Sequence, residues 1–509
     1  MSLKGTLIKN LIGIGEGLVS EANHVSAQAK TLTKLLERAK ETAFGKFYGF
    51  DEILNSKNPS QEFKNRVPYF DYNKMENQWW KQTQKGIPDI SWPGTASYFA
   101  LSSGTTGSKS KRIPVTEDML DAIRKAGIKQ VAALSNFDLP PEFFEREILM
   151  LGSSTNLKEN SGRWEGEISG IGASNIPFWF RGYYRPGNEI AKIDDWDERL
   201  DQIAQNAKEW DIGALSGIPS WMELMIKKVI EYHGVDNIHQ IWPNLQVYAS
   251  GGVAFEAYEK SFFSLLGKPI TVIETYLASE GFLACQTRPE TTAMQLLTDN
   301  GVYFEFVPFK PEYIHQDGSL KDDAPCTNLE GVKPNQEYVL LISTVSGAWR
   351  YLIGDTIEFS DVDKAEIKIT GRTKFFLNVV GSQLSVNKMN EAILGLENQF
   401  NLKIPEFVVS AVKINDEYYH KWYLGVDSPD EMEEKTLAQI LDKSLQEANK
   451  NYAVARSKSL KGVVVRTIPV NVFYEWNAFQ KKKGGQVKTE KVMKEEKFLK
   501  WEKFVSENC

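Results

Sequence analysis

Cysteine and histidine are both scarce in this 509-residue chain, with three of the first and five of the second. Cys285, Cys326 and Cys509 are widely separated and odd in number, which argues against a disulfide framework and fits a reducing compartment. His24, His233, His239, His315 and His420 show no metal-ligand spacing, so a zinc site gains no support. No apolar run approaches the ~20 residues that span a bilayer. The first residues lack the apolar core and cleavage site of a secretion signal, so a cytoplasmic protein is expected. An excess of positive charge is missing too. With 60 Lys and Arg against 67 Asp and Glu, the net charge of -7 favours no nucleic-acid partner, and the basic run Lys481 to Lys483 is short. Nothing points to a membrane or to an obligate protein partner.

What the chain does have is ordinary globular composition, 42% hydrophobic and 25% charged, over a length too great for one core. Two or more domains are expected. The first ninety residues read as helices and connectors, with helical spacing over Ala27 to Tyr48 and prolines at 59, 68, 88 and 93. From residue 95 short strands alternate with helices, the rhythm of α/β architecture. Strands are expected at Ile148 to Gly152, Leu245 to Ala249, Ile270 to Glu274, Val302 to Val307 and Tyr338 to Ser343. Helices are expected at Asp197 to Trp210, Trp221 to His233 and Ala254 to Leu266. After Ile369 to Lys374 the pattern becomes a compact α+β unit. Its helices are placed at Val386 to Leu396 and Pro429 to Asn449, and its strands near Val408 to Val412, Lys421 to Val426 and Gly462 to Ile468. The division is therefore a large α/β N-terminal domain, 1-375, and a smaller α+β C-terminal domain, 376-509.

The most informative segment is Ser102-Ser103-Gly104-Thr105-Thr106-Gly107-Ser108-Lys109-Ser110-Lys111, between extended runs at Thr95 to Leu101 and Arg112 to Thr116. Hydroxyls, lysines and backbone N–H groups made approachable by glycine are the groups that surround a triphosphate. The pattern is not a Walker A loop, because the glycines are only three apart and Lys111 runs into a strand rather than a helix. Taken alone, the segment is equally a polar hairpin turn.

Three further clusters follow expected strands, where open α/β sheets place ligands. Gly251 and Gly252, after Ser250, could admit a flat ring against the main chain, or form a plain tight turn. Tyr276-Leu-Ala-Ser279-Glu280-Gly281 offers a carboxylate suited to Mg²⁺ held through phosphate oxygens, or else an ordinary helix-start or surface residue. Tyr351-Leu-Ile-Gly354-Asp355, with Gly371-Arg372 downstream, offers a carboxylate for ribose hydroxyls and a cation for ribose or phosphate; Gly-Asp is also a common turn. Near the end, Lys488 sits in Gly484-Gly-Gln486-Val-Lys488, either solvated or able to enter a site on another domain. Trp179, Phe180, Tyr183 and Trp221 are candidate acid contacts but fit the core better, and Arg181 or Arg185 is equally a surface charge or a carboxylate partner.

In this order the segments resemble the GH3 family of acyl-acid amido synthetases, in its bacterial branch, within the adenylate-forming superfamily. Ser102 to Lys111 is similar to the family's Ser-Ser-Gly-Thr-Ser/Thr phosphate loop. Tyr276 to Gly281 is similar to Tyr-x-x-Ser-Glu-Gly, and Tyr351 to Asp355 to Tyr-Arg-x-Gly-Asp. The resemblance implies an adenylate-forming fold with a mobile smaller domain hinged near Gly371 to Gly381. It implies ATP and Mg²⁺ as cofactors, and a small carboxylic acid and an amino acid as substrates. It implies that Ser102, Ser103, Thr105, Thr106 and Lys111 surround the phosphates, with Gly104 and Gly107 shaping the loop. It implies that Glu280, beside Ser279, holds Mg²⁺, that Gly251, Gly252 and Tyr276 flank adenine, and that Asp355 and Arg372 fix the ribose. Lys488 matches the catalytic lysine, although Thr489-Glu490-Lys491 stands where Pro-Arg is common. Ser108-Lys109-Ser110 likewise replaces the usual Gly-Glu-Arg before Lys111. An acyl-CoA ligase, or a nucleotide-binding protein without turnover, is the alternative expectation.

Overall fold

The computed structural model describes residues 23–102, 111–178, 180–252, 255–315, 318–373, 376–377, 384–415, 417–429, 433–458, 460–480 and 489–509. The chain forms two compact units: Met1–Phe255 with Phe262–Lys368, and Glu256–Ser261 with Ile369–Cys509. Among the described residues no helix is long and apolar enough to cross a membrane.

In the first unit the helix His24–Ala39 starts at Asn23, whose side chain accepts from the Ser26 N–H, and buries Leu32, Leu35, Leu36 and Ala39 along one stripe. The expected helix through Tyr48 breaks after Ala39 and restarts as Ala43–Tyr48 under a Thr42 cap. Gln28 ties the first helix to the sheet by donating to the carbonyls of Thr298 and Val302 at 2.7 and 2.8 Å. Phe44, Phe50, Phe63, Phe70, Trp80 and Trp349 bury an aromatic core between these helices and the sheet.

That sheet has eleven strands among the described residues. Tyr184–Arg185, Glu147–Leu151, Ile212–Gly217, Val247–Gly251 and Thr271–Ala278 run parallel. Pairing then turns antiparallel through Gly281–Cys285 and Met294–Leu296, and again between Val302–Pro308, Glu337–Thr344 and Tyr351–Asp361. The helices Trp196–Asn206 and Pro219–His233 lie between parallel strands in the chain, as the alternation of patterns implies. The expected helix Ala254 to Leu266 is only two short turns, Phe255–Tyr258 and Glu259–Phe263. A separate four-stranded sheet contains Lys111–Val115, Tyr98–Ser102, Arg163–Gly166 and Lys158–Asn160.

The second unit is α+β. Glu406–Ile414, Glu417–Val426 and Leu460–Pro469 form its three-stranded sheet. The helix Glu434–Ala448 buries Leu437, Leu441 and Leu445, which recur every fourth residue, and Val386–Phe400 shares the same core. Three helices of this unit were not expected from the sequence: Lys450–Lys458, Asn471–Phe479 and Glu495–Asn508.

Candidate active site

The sheet changes from parallel to antiparallel pairing at one tight hairpin. Ala278 pairs with Gly281, so Ser279 and Glu280 are its two turn residues. The strand expected to stop at Glu274 runs on to Ala278, which puts Tyr276 inside it. Glu280 is only 6% exposed, neither a helix start nor a surface carboxylate. A carboxylate buried that deeply needs polar company. The fully buried Tyr351 phenol supplies some of it: burial first, and then the charge of Glu280, push that hydroxyl well above the usual tyrosine range.

Tyr351 opens the strand Tyr351–Asp361, and its pairing partner Glu337–Thr344 shows why Asp355 is where it is. Leu341 pairs with Leu352 and Val339 with Thr356, so Ile353, Gly354 and Asp355 together face Leu340. This bulge re-aims the side chains on it. Gly354 adopts φ 95°, a conformation open to glycine and strained for other residues. Asp355 thus lies within a strand, not in a turn, and its carboxylate accepts a hydrogen bond from the Tyr276 phenol. Two segments nearly eighty residues apart in the chain meet there.

The third element is the hairpin of the smaller sheet. Its strands pair from Tyr98–Val115 to Ser102–Lys111, which holds the two ends of the expected phosphate loop side by side. Ser103, Gly104, Thr105, Thr106 and Gly107 lie outside the described residues. The Lys111 Nζ sits 5.4 Å from the Tyr72 ring centroid, and the Tyr72 hydroxyl accepts from the Arg112 N–H at 2.9 Å. Burial raises the Tyr72 phenol to about 12, so it stays protonated at neutral pH. Asp71 and Tyr72 also act electrostatically on Tyr351. Tyr351 is thus coupled electrostatically to Glu280 and to Tyr72, the ring beside which Lys111 lies. Neither Asp71 nor Tyr72 was singled out in the sequence. Their only signal was position after Pro68, and the contacts depend on a strand register that sequence does not reveal.

Gly251 closes a parallel strand beside Thr275, and a Cβ there would come within 2.6 Å of the Thr275 hydroxyl. Packing against Thr275 therefore leaves no room for a side chain at that position. Gly252 has φ 84° and is exposed. Arg372 is exposed at the end of the strand Glu366–Arg372 and belongs to the second unit. Lys488 lies outside the described residues, as does Trp179. Arg185 is paired with Glu147, and Arg181 is exposed. Cys285 is a buried side chain packed with Ala126, Phe282 and Leu297. Among the described residues no three His, Cys, Asp or Glu side chains are grouped to hold a metal.

The GH3 family N-terminal domain matches residues 18–203, its central domain 295–372 and its C-terminal domain 387–497. The chain belongs to the GH3 family. Among its relatives is an indole-3-acetic acid-amido synthetase of Arabidopsis thaliana, 21% identical over 73% of this chain and 78% of the relative. Another is a jasmonoyl–L-amino acid synthetase of Nicotiana attenuata, 20% identical over 85% and 84%. These relatives are plant proteins, as are those found in rice, and the expectation of the family's bacterial branch is corrected accordingly. The solved structure of the GH3.15 acyl acid amido synthetase superposes with a TM-score of 0.76 at 16% identity, covering 97% of this chain and 95% of that one. A 2-hydroxyisobutyryl-CoA ligase in the postadenylation state gives 0.59 at 13% identity, over 94% and 91%. At such identities the likeness concerns the fold. This GH3 chain has the adenylate-forming architecture, a large N-terminal part and a smaller C-terminal one.

Proposed function

We propose that this GH3 chain, an ATP-dependent acyl-acid amido synthetase by family and fold, carries out its chemistry with Lys111, Glu280 and Asp355. A carboxylate oxygen of the acid attacks the α-phosphate of ATP and expels pyrophosphate, leaving an acyl-adenylate. The nitrogen of an amino acid then attacks the acyl carbon, the carbon–oxygen bond to AMP breaks, and an amide and AMP leave. The Ser102 to Lys111 loop binds the phosphates, and Lys111 offsets charge that builds on them. Asp355 receives the ribose hydroxyls from a position held by Tyr276. Tyr276, Gly251 and Gly252 flank the base, and Arg372 adds a cation to the ribose. Lys488 serves the attacked phosphorus.

Glu280 fits Mg²⁺ as a single buried hard-oxygen ligand, since that ion takes one or two carboxylates beside waters and phosphates. Bound there, Mg²⁺ would neutralise charge on the triphosphate. The observation that supports the reading most is the Tyr276–Asp355 hydrogen bond, which joins two of the three motif segments in one patch. The relatives named for indole-3-acetic acid and jasmonoyl conjugation support a carboxylic acid and an amino acid as the substrate classes.

The test is pyrophosphate and AMP formation from ATP and Mg²⁺ across a panel of carboxylic acids, with amino acids and separately with CoA. Acid-dependent pyrophosphate release with amide formed only when amino acids are present is expected. AMP formation that needs CoA and ignores amino acids would identify an acyl-CoA ligase instead.

A further inference from the structure

The helix Trp196–Asn206 carries an arginine in its first turns that is 3% exposed. Arg199 makes no ion pair and no hydrogen bond to any described residue, and its Nε is inaccessible and unpartnered. A buried guanidinium in that condition is rare, because desolvating a charge is costly unless it is paired. Its nearest aromatic neighbours add donors. The Arg199 Cζ lies 4.7 Å from the Trp196 ring centroid, and Trp196 meets Trp221 edge to face at 4.2 Å. The indole N–H groups of both tryptophans are likewise inaccessible and unpartnered. Three neighbouring side chains therefore each hold a buried donor with no acceptor bonded to it. Glu167, Asp194 and Tyr184 act on Arg199 only at longer range, and Glu167 is engaged by the Ser153 hydroxyl.

The cluster stands on the working edge of the sheet. Leu151 pairs with Gly217, Gly217 with Ser250, and Ser250 with Glu274, a single row across four parallel strands. Ser153 leaves the first of these strands just past the row, and Tyr276 lies just past it on the last. At about 4.8 Å per strand the two are roughly 14 Å apart along the carboxyl ends. The segment after Leu151 also holds the start of the Arg199 helix: the Thr155 N–H donates to the Ala191 carbonyl at 2.9 Å, and the Asn156 amide to Asp194 at 2.8 Å.

We propose that Arg199, with the Trp196 and Trp221 indoles, binds a substrate carboxylate that the reaction leaves unactivated. A carboxylate is an acceptor only, with two oxygens that match the guanidinium fork and leave lone pairs for N–H donors. Two sources share this chemistry, the α-carboxylate of the amino acid acceptor and a second acid group on the acyl substrate. The assignment rests on the proposed function.

The test compares the wild-type enzyme with Arg199→Met, using amino acids against their amides as acceptors, and short dicarboxylic acids against their half-amides as acyl donors. In the first case the KM for amino acids rises roughly 10- to 100-fold in the variant, the KM for amides is unchanged, and acid-dependent ATP–pyrophosphate exchange is intact. In the second the rise falls on the dicarboxylic acid in the exchange assay and spares the half-amide. Equal changes for carboxylate and amide partners, or none, overturn the assignment. Should Arg199→Met not fold, Arg199→Lys keeps the charge without the fork and must still weaken carboxylate substrates selectively. Absence of exchange with every acid in the wild type strikes instead at the proposed function.

Discussion

The Tyr276 phenol donates a hydrogen bond to the Asp355 carboxylate between strands that are not neighbours in the sheet order, and the bulge at Gly354 sets that carboxylate in reach. This contact turns two separate sequence segments into one surface. Tyr276→Phe keeps the buried ring and removes only the donor. Hydrogen bonds to charged groups contribute about 1.5–3 kcal/mol, so the KM for ATP should rise roughly tenfold or more. The KM for the acid should stay near wild type. Steady-state kinetics with each substrate varied in turn would show it, and an unchanged KM for ATP would remove Asp355 positioning from the account.

Glu280 is buried against Tyr351 and is the carboxylate best suited to meet a phosphate-bound cation. Glu280→Gln preserves shape and removes the charge. Pyrophosphate release should then require a much higher Mg²⁺ concentration or fall by roughly 100-fold, the scale on which lost transition-state stabilisation appears. A magnesium titration identical to wild type would take Glu280 out of the site.

Arg350 and Glu305 form an ion pair at 3.0 Å with side chains 4% and 1% exposed. The same guanidinium donates to the Lys64 and Val67 carbonyls at 3.0 and 2.7 Å and lies over the Tyr69 ring. Removing one partner leaves the other buried and uncompensated. Arg350→Met should cost about 3–5 kcal/mol in chemical denaturation. A loss under 1 kcal/mol, about the level of a surface pair, would contradict this.

His420 is fully buried, and neither ring nitrogen has a hydrogen-bond partner. Burial pulls its pKa down to about 3, with Asp442 opposing. The unfolded chain titrates near 6.5, so between these values it binds more protons than the folded one. The contribution of neutral His420 is therefore complete above the unfolded value and is lost as pH falls toward 3. His420→Leu should flatten the acid side of the stability profile, by up to ~1.4 kcal/mol per pH unit in that window. Urea midpoints measured at neutral and mildly acidic pH would decide; parallel acid losses in both proteins would contradict the assignment.

How much of this was legible in the sequence differs from residue to residue. Val302 and Tyr338 lie in strands, and Leu437, Leu441 and Leu445 in a helix, where the sequence led one to expect them. Glu280 and Asp355 were legible as chemistry but not as geometry. A hairpin turn and a bulge are fixed by pairing with distant strands, which local pattern does not record. The packing of Gly251 against Thr275 was likewise not legible, because it depends on which strand lies beside it. Arg199 carried no signal at all, because an unpaired charge becomes visible only once its neighbours are in place.

The central claim is that the acid is activated through its own oxygen on the α-phosphate of ATP. The most direct measurement uses a turned-over carboxylic acid labelled with ¹⁸O, with AMP and amide analysed by mass spectrometry. The account predicts one ¹⁸O atom in AMP for each amide formed. Unlabelled AMP, or label found in phosphate beside ADP, would contradict it.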